Sequence, residues 1–203
     1  MKPFAPVVLA GRRVRLEPLA PEHVPGLVAA ASEDRATFNW TPVPEGEEAF
    51  RGNVAFAEEE RAAGRRLVFA TVEIAAGRPV GSTSYLDPQI WPGGAPGHLD
   101  SIEIGATWLA ASAQRTAVNT EAKLLMLVYA FETFGVHRVV LNTDARNERS
   151  RAAIERIGAT FEGVLHSFRY GVEGTPRDTA TFAVTTRDWP GVRARLEERV
   201  NQG

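Results

Sequence analysis

The sequence predicts a mixed α/β (α+β) fold, because segments of strand length alternate with amphipathic segments of helix length. Residues 102–109 and 138–143 have the branched and aromatic content of strands. Between them, apolar residues recur with the spacing of one helical face, at Leu124, Leu127, Val128, Phe131 and Phe134. Strand, helix and strand in this order predict a βαβ unit. Its first turn brings backbone N–H groups to a helix N-terminus, where a phosphate binds readily.

The same alternation continues on both sides of this unit. Further strands are predicted at residues 14–16, 67–74, 79–86, 161–170 and 178–185, and further helices at residues 24–31, 47–63 and 189–200. Another helix is predicted to begin near Asn147. Residues 87–97 are rich in Pro and Gly, which predicts an exposed loop. Since no repeat or linker interrupts the pattern, we expect residues 1–203 to form a single domain.

Composition excludes several classes of protein. A hydrophobic content of 44% and a charged content of 24% are typical of a globular domain. The formal net charge of −2 provides no basic field, so we expect no nucleic-acid partner. The absence of cysteine excludes disulfides, thiolate metal sites and a cysteine nucleophile. No apolar run approaches the length of a membrane span and the first nine residues make a poor signal peptide, so we expect no membrane partner and a cytoplasmic location.

Three segments, taken in order, carry a resemblance to a known family. They are Glu103-Ile104-Gly105 with Trp108-Leu109, then Gln114 through Lys123, then Asn147-x-x-Ser150 followed by Glu155-x-x-Gly158-Ala159. Together with the opening residues 11–19 and two C-terminal segments (177–179 and 188–190), they resemble the GNAT acetyltransferase superfamily, and within it the RimJ/RimL-like N-acetyltransferases. The resemblance covers nearly the whole chain, and it depends on the order of the segments rather than on any one motif.

The resemblance implies both an architecture and an activity. The architecture is a twisted, mostly antiparallel sheet of about seven strands flanked by helices, with one parallel pair from the βαβ unit. The activity is direct transfer of an acetyl group from acetyl-CoA to a primary amine, either a protein N-terminus or a small-molecule amine, without a metal. A homodimer is suggested by the resemblance alone.

Residues 114–120 form the segment in which the family has its glycine-containing phosphate loop. Here Ala117 and Asn119 stand where that pattern has glycine. Asn119 is a tolerable replacement, since Asn accepts a positive φ better than most residues and also caps helices well. Ala117 is less suitable, although its small side chain still allows close approach. The alternative is an ordinary strand-to-helix turn capped by Asn119 or Thr120, and the apolar periodicity predicts that the helix begins near Thr120. The residues that the resemblance assigns to the cofactor are Trp108, Leu109, Gln114, Arg115, Thr116, Ala117, Val118, Asn119, Thr120, Asn147 and Ser150.

Asn147 and Ser150 are spaced so that both lie at the same end of a helix. Asn147 is predicted to be the N-cap. The resemblance implies that Ser150 gives a proton or a hydrogen bond to the departing coenzyme A thiolate. Many GNAT enzymes use a tyrosine one turn later, but the matching residue here is Ile154.

Glu103 is the predicted base, acting directly or through a water, because acyl transfer requires a neutral amine and burial raises the pKa of a carboxylate. The alternatives for Glu103 are a position on the solvated face of its strand, by simple alternation, or a structural ion pair, and Asp100 is the alternative base. Trp40 is predicted to line the substrate groove, although a core position is equally compatible with the sequence. Trp108, at the end of its strand, is predicted to pack in the core with its backbone beside the pantetheine arm.

No histidine has a second ligand at metal-binding spacing on one helix, so no metal is predicted. A non-catalytic acyl-CoA-binding or regulatory protein with the same fold is the competing interpretation.

Overall fold

Eight strands and five α-helices make up most of residues 4–202, the part of the chain that the computed structural model describes. The strands are β1 (Leu9–Ala10), β2 (Val14–Pro18), β3 (Arg66–Glu73), β4 (Arg78–Gln89), β5 (Ser101–Leu109), β6 (Arg138–Asp144), β7 (Thr160–Tyr170) and β8 (Pro176–Thr185). The helices are α1 (Val24–Ser32), α2 (Gly46–Ala62), α3 (Ala117–Val128), α4 (Glu148–Ile157) and α5 (Trp189–Gln202). No helix in this part of the chain is both long and apolar enough to cross a lipid bilayer.

The strands form one sheet in the order β1-β2-β3-β4-β5-β6-β8-β7. Every neighbouring pair is antiparallel except β5 and β6, which are parallel because α3 crosses over between them. The predicted mixed, mostly antiparallel fold is therefore confirmed. The sheet has eight strands instead of about seven because β1, at two residues, is too short to show an alternating pattern.

The parallel pair is short. Only three residues on each side are paired, Ser101–Glu103 with Arg138–Val140. Beyond them β5 carries a bulge on its other side, where Ala106 has a φ of +49° and the register with β4 shifts. Pairing with β6 does not resume, so the carboxyl halves of β5 and β6 become the two sides of a cleft.

Helix α3 joins this central pair to the N-terminal strands. The buried carboxylate of Glu121 accepts hydrogen bonds from the backbone N–H groups of Arg12, Arg13 and Val14 at 2.7–2.9 Å. A Cβ on Gly11 would lie 2.6 Å from Glu121 Cδ, so only glycine fits beside this carboxylate. The helix ends in a π-helical turn (Tyr129–Phe134), which is closed by Gly135 at a φ of +71°.

Candidate active site

A cleft of about 700 Å³ opens between the separated halves of β5 and β6. Its walls come from β5, the beginning of α3, β6 and α4, and Trp40 closes one part of it. The predicted residues that line it are Trp40, Trp108, Leu109, Gln114, Arg115, Thr116, Asn119, Thr120, Asn147 and Ser150. Ala117, Val118 and Glu103 are not among the lining residues, and neither is Asp100, the alternative base.

The loop before α3 differs in register from the prediction. Helix α3 begins at Ala117 instead of near Thr120, so Ala117 to Thr120 form its first turn. The N-cap is Thr116, whose hydroxyl accepts from Val118 N–H at 3.2 Å and donates to the Ala113 carbonyl at 2.8 Å. The positive φ belongs to Arg115, at +62°, and not to Asn119. The predicted capping by Asn119 or Thr120 is therefore wrong, because a threonine closer to the strand satisfies the helix end first.

Three backbone donors remain available at this helix end. The N–H of Gln114 bonds to the carbonyls of Ala110 and Ala111, and that of Val118 bonds to Thr116. Within residues 4–202, the N–H groups of Arg115, Thr116 and Ala117 have no protein acceptor. Adjacent free N–H groups at the positive end of a helix dipole form an anion site.

The side chain of Gln114 holds this loop in place. Its amide group donates to the Leu109 carbonyl at 2.9 Å and to Thr37 Oγ1 at 3.2 Å, and its oxygen accepts from Arg149 Nη1 at 3.0 Å. Arg149 lies in the first turn of α4 and also lines the cleft. Gln114 therefore links the two helix ends that face each other across the cleft.

Trp108 is buried, as predicted, and packs with its ring edge against Phe38, with centroids 5.7 Å apart. Trp40 lines the cleft with the guanidinium of Arg146 lying 4.2 Å from its ring centroid. Val118 is buried in the core, which explains why it does not reach the cleft.

Helix α4 presents its N-terminus to the same cleft. Asn147 is its N-cap, as predicted, and accepts from Ser150 N–H at 3.0 Å. The Ser150 hydroxyl lines the cleft and has no hydrogen-bond partner among residues 4–202. Ile154 forms part of the apolar wall one turn further on. Ser150 is thus held by its backbone and keeps its hydroxyl free.

Glu103 is buried, at 4% exposed, beside the cleft. Its carboxylate accepts from Asn142 Nδ2 at 2.7 Å and from Arg169 at 2.8 Å. Burial raises the pKa of Glu103 above its ordinary value, and the Arg169 charge and these hydrogen bonds partly counter that rise. Both features that the sequence left open are present, since Glu103 has a raised pKa and is also an ion-pair partner.

A group of unpartnered polar atoms lies on the same face of β6 and β8. Asn142 is directly opposite Thr181, and Thr179 and Arg177 follow at two-residue intervals on that face. Asn142 Oδ1, Thr181 Oγ1, Thr179 Oγ1 and Arg177 Nε are buried without hydrogen-bond partners in the described structure. Buried polar atoms are seldom left unpaired. Of these four residues, Asn142 and Arg177 line the cleft and Thr179 and Thr181 do not.

The sequence did not reveal Lys123. It is one of two lysines in the chain, it is buried on α3, and it lines the cleft. Its Nζ contacts Thr107 Oγ1 at 2.7 Å and Thr83 Oγ1 at 3.0 Å, and burial lowers its pKa to about 7. A signal was available, because Lys123 stands four residues after Asn119 and three after Thr120, on one helical face.

Comparisons with known proteins show the family to which this chain belongs. A family model described as the acetyltransferase (GNAT) domain matches residues 13–160, and the chain therefore belongs to the GNAT family of acetyltransferases. A curated Bacillus subtilis (strain 168) relative, YdaF, named provisionally as a ribosomal N-acetyltransferase, is 35% identical over 98 residues, which are 46% of this chain and 52% of YdaF. This chain thus spans about half the length of that relative.

Solved structures resemble the whole chain. A GCN5-related N-acetyltransferase from Brucella melitensis is 30% identical, with a TM-score of 0.82, over 98% of this chain and 89% of that one. RimJ from Mycobacterium smegmatis, solved in complex with CoA-disulfide, has a TM-score of 0.82 at 23% identity, over 98% of this chain and 97% of RimJ. At that identity the likeness to RimJ concerns the fold alone.

Proposed function

We propose that this protein transfers an acetyl group from acetyl-CoA to a primary amine by direct attack. The observation that carries the proposal is the set of three free N–H groups at Arg115, Thr116 and Ala117. They lie at the edge of the cleft between two separated strands, and Arg115 and Thr116 line that cleft. They fit the diphosphate of coenzyme A, since both the amides and the helix dipole favour an anion there. The Arg115 side chain adds positive charge at the same place.

Acetyl-CoA supplies an activated thioester carbonyl when it is bound. The chain holds it with the amides at the start of α3, while the backbone of residues 107–109 lines the cleft beside the bulge at Ala106. In the reaction the amine nitrogen forms a bond to the carbonyl carbon, the bond from carbon to sulfur breaks, and the amine loses a proton. Backbone N–H groups at residues 107–109 stabilise the negative charge that develops on the carbonyl oxygen.

Glu103, oriented by Asn142, accepts the proton that the amine loses. Asn142 uses its N–H₂ group to bind Glu103, which leaves its carbonyl oxygen unpartnered at the cleft. Glu103 receives the amine's proton through a water, and the hydrogen bond from Asn142 fixes the orientation of the Glu103 carboxylate. The burial that raises the pKa of Glu103 makes it a stronger base than an exposed carboxylate.

Ser150 acts on the other side of the reaction. Its free hydroxyl lies on the cleft wall at the start of α4. There it donates a hydrogen bond to the sulfur that leaves, which stabilises the thiolate until it takes a proton.

The acceptor is a protein N-terminus or a small-molecule amine. The name of YdaF supports a ribosomal-protein amine.

The test combines binding and turnover. Calorimetry with coenzyme A measures uptake, and release of free thiol is then followed with acetyl-CoA and a panel of amines that includes N-terminal peptides and polyamines. Amine-dependent thiol release supports the proposal. Uptake of coenzyme A with background rates for every amine favours the alternative, a non-catalytic acyl-CoA-binding protein. Absence of uptake overturns both.

Three further expectations stay predictions. These are a single domain over residues 1–203, a cytoplasmic location and a homodimer. For the homodimer, the outer strand β7 offers a surface, because Phe161, Leu165 and Phe168 on it are exposed. Light scattering of the purified chain measures its mass directly.

A further inference from the structure

Two histidines and a buried aspartate meet at the end of the β5–β6 pair that is remote from the cleft. Asp100 immediately precedes β5, His98 lies two residues before Asp100, and His137 immediately precedes β6. One ligand atom from each of these three side chains lies within 4.8 Å of the other two. None of the three lines the cleft, so the cluster is separate from the acetyl-transfer site.

Asp100 is fixed in place and is 2% exposed. Its N–H donates to the Gln89 carbonyl at 2.9 Å, and its own carbonyl accepts from His137 N–H at 2.8 Å. One carboxylate oxygen, Oδ2, accepts from Trp91 N–H at 2.7 Å. The other oxygen, Oδ1, is directed to the two imidazoles, at 4.0 Å from His98 Nε2 and 3.8 Å from His137 Nε2.

These separations differ from those of the other histidine–carboxylate pairs in the protein. His166 and Asp178 meet at 2.9 Å, and His23 and Glu17 meet at 3.0 Å, which are ordinary hydrogen-bond distances. Neither His98 Nε2 nor His137 Nε2 lies within hydrogen-bond distance of Asp100 Oδ1. Both nitrogens are about 1 Å further from the carboxylate oxygen than in the other two pairs, which is the arrangement expected around an ion bound between them.

The donor set specifies the ion. Two imidazole nitrogens and one carboxylate oxygen, without thiolate, match zinc and neighbouring divalent metals. Zinc bonds of about 2.0–2.2 Å place tetrahedral ligand atoms roughly 3.3–3.5 Å apart, so each imidazole nitrogen must approach Asp100 Oδ1 by about half an ångström. The two imidazole nitrogens, which lie within 4.8 Å of each other, must come to the same spacing. The His137 side chain is half exposed, which allows that movement and leaves a coordination position open to water.

We propose that His98, Asp100 and His137 form a zinc site that ties the loop before β5 to the start of β6. Asp100 supplies the anionic ligand, and the Trp91 N–H on its second oxygen fixes its orientation, as outer-shell partners do in metal sites. Bound zinc also compensates the buried carboxylate charge. The sequence could not indicate this site, because its ligands come from two segments almost 40 residues apart that only the parallel pairing brings together.

The test uses the full chain without a histidine tag, stripped with EDTA. Calorimetry with zinc chloride is expected to give one equivalent, and His98→Ala and His137→Ala are each expected to weaken zinc binding at least about 10-fold. His166→Ala is the matched control, since it removes an exposed histidine that also pairs with an aspartate. It should bind zinc as the parent does.

A second readout is spectroscopic. Cobalt(II) bound by these ligands is expected to give visible ligand-field bands, and zinc should abolish them. Trp91 lies 6.0 Å from His137 between ring centroids, so copper(II) should quench its fluorescence, with less quenching in Trp91→Phe. Zinc binding that is no tighter in the parent than in both histidine variants, or cobalt bands that persist in them, would overturn the site. Uptake of coenzyme A is measured in parallel, and its loss or retention bears on the acetyl-transfer site only.

Discussion

Asn142 Nδ2 donates to a Glu103 carboxylate oxygen at 2.7 Å, and of these two residues only Asn142 lines the cleft. In the proposed mechanism, Asn142 therefore stands between the incoming amine and the buried base. Arg169 contacts the same carboxylate and partly counters the rise that burial causes in the pKa of Glu103, and Arg169 too lies outside the cleft lining.

Arg169→Gln is expected to move the acid limb of the pH profile of kcat/KM to higher pH. The Arg169 charge opposes the rise that burial causes in the pKa of Glu103, so its removal raises that pKa further. A base must be deprotonated to act, so the rise of kcat/KM with pH begins at a higher pH in the variant. Arg138→Gln is the control, because Arg138 pairs with Glu162 on the surface. An unmoved acid limb in Arg169→Gln would show that Glu103 is not the base.

Ser150→Ala is expected to lower kcat by about 10²-fold with little change in the affinity for acetyl-CoA, since general-acid contributions have this size. Its backbone N–H would still cap onto Asn147, so the helix end is preserved. Stopped assays of thiol release and calorimetry measure the two quantities. Ser32→Ala, which removes a hydroxyl bonded within α1, should behave as the parent does. If kcat and affinity fell together, Ser150 would only position the cofactor.

Ala117→Pro is expected to weaken coenzyme A binding about 10-fold or more while the fold is retained. Proline is well tolerated at the first position of a helix, and Thr116, at φ −104° and ψ 179°, already has the extended conformation that proline requires before it. The substitution thus removes one free N–H, and a hydrogen bond to a charged group contributes about 1.5–3 kcal/mol. Ala117→Ser keeps that N–H and is the control. Equal affinity in both variants would mean that the diphosphate does not bind there.

Lys123→Met is expected to flatten the pH dependence of stability. Burial lowers the pKa of Lys123 to about 7, so between pH 7 and its ordinary value of 10.5 the unfolded chain binds a proton that the folded chain lacks. The free energy of unfolding of the parent therefore rises with pH in this window, by at most about 1.4 kcal/mol per pH unit from this group.

Urea unfolding of the parent and of Lys123→Met at pH 7, 8 and 9 measures this slope. Thr83 and Thr107 remain hydrogen-bonded to each other at 2.8 Å without the lysine, so the variant keeps a satisfied interior. The exposed variant Arg51→Met should parallel the parent. Parallel curves for the parent and Lys123→Met would show that Lys123 keeps its proton in the folded chain.

The sequence predicted the elements whose pattern is local. The βαβ unit, the N-cap at Asn147 and the burial of Trp108 all follow from spacing and residue type, and the structure confirms them. The start of α3 was misplaced by three residues because two suitable caps, Thr116 and Asn119, lie close together in the sequence. Only the strand before them decides which one closes the helix.

What the sequence could not supply depends on contacts between distant segments. The hydrogen-bond partners of Lys123 come from Thr83 on β4 and Thr107 on β5, and the charged partner of Glu103 comes from β7. Spacing along the chain contains no information about these neighbours. The width of the cleft likewise follows from how few residues of β5 and β6 are paired, which no single-strand pattern shows.

The carboxylate of Glu121 connects the proposed cofactor site to the N-terminal strands. The helix to whose first turn we assign the diphosphate also holds the amides of Arg12, Arg13 and Val14 one turn later, through the Glu121 carboxylate. The hairpin of β1 and β2 can therefore open only if its hydrogen bonds to Glu121 on α3 break. A ligand that binds only the intact end of α3 makes such local opening rarer. Hydrogen exchange at those three amides should slow when coenzyme A is added, although none of them touches it.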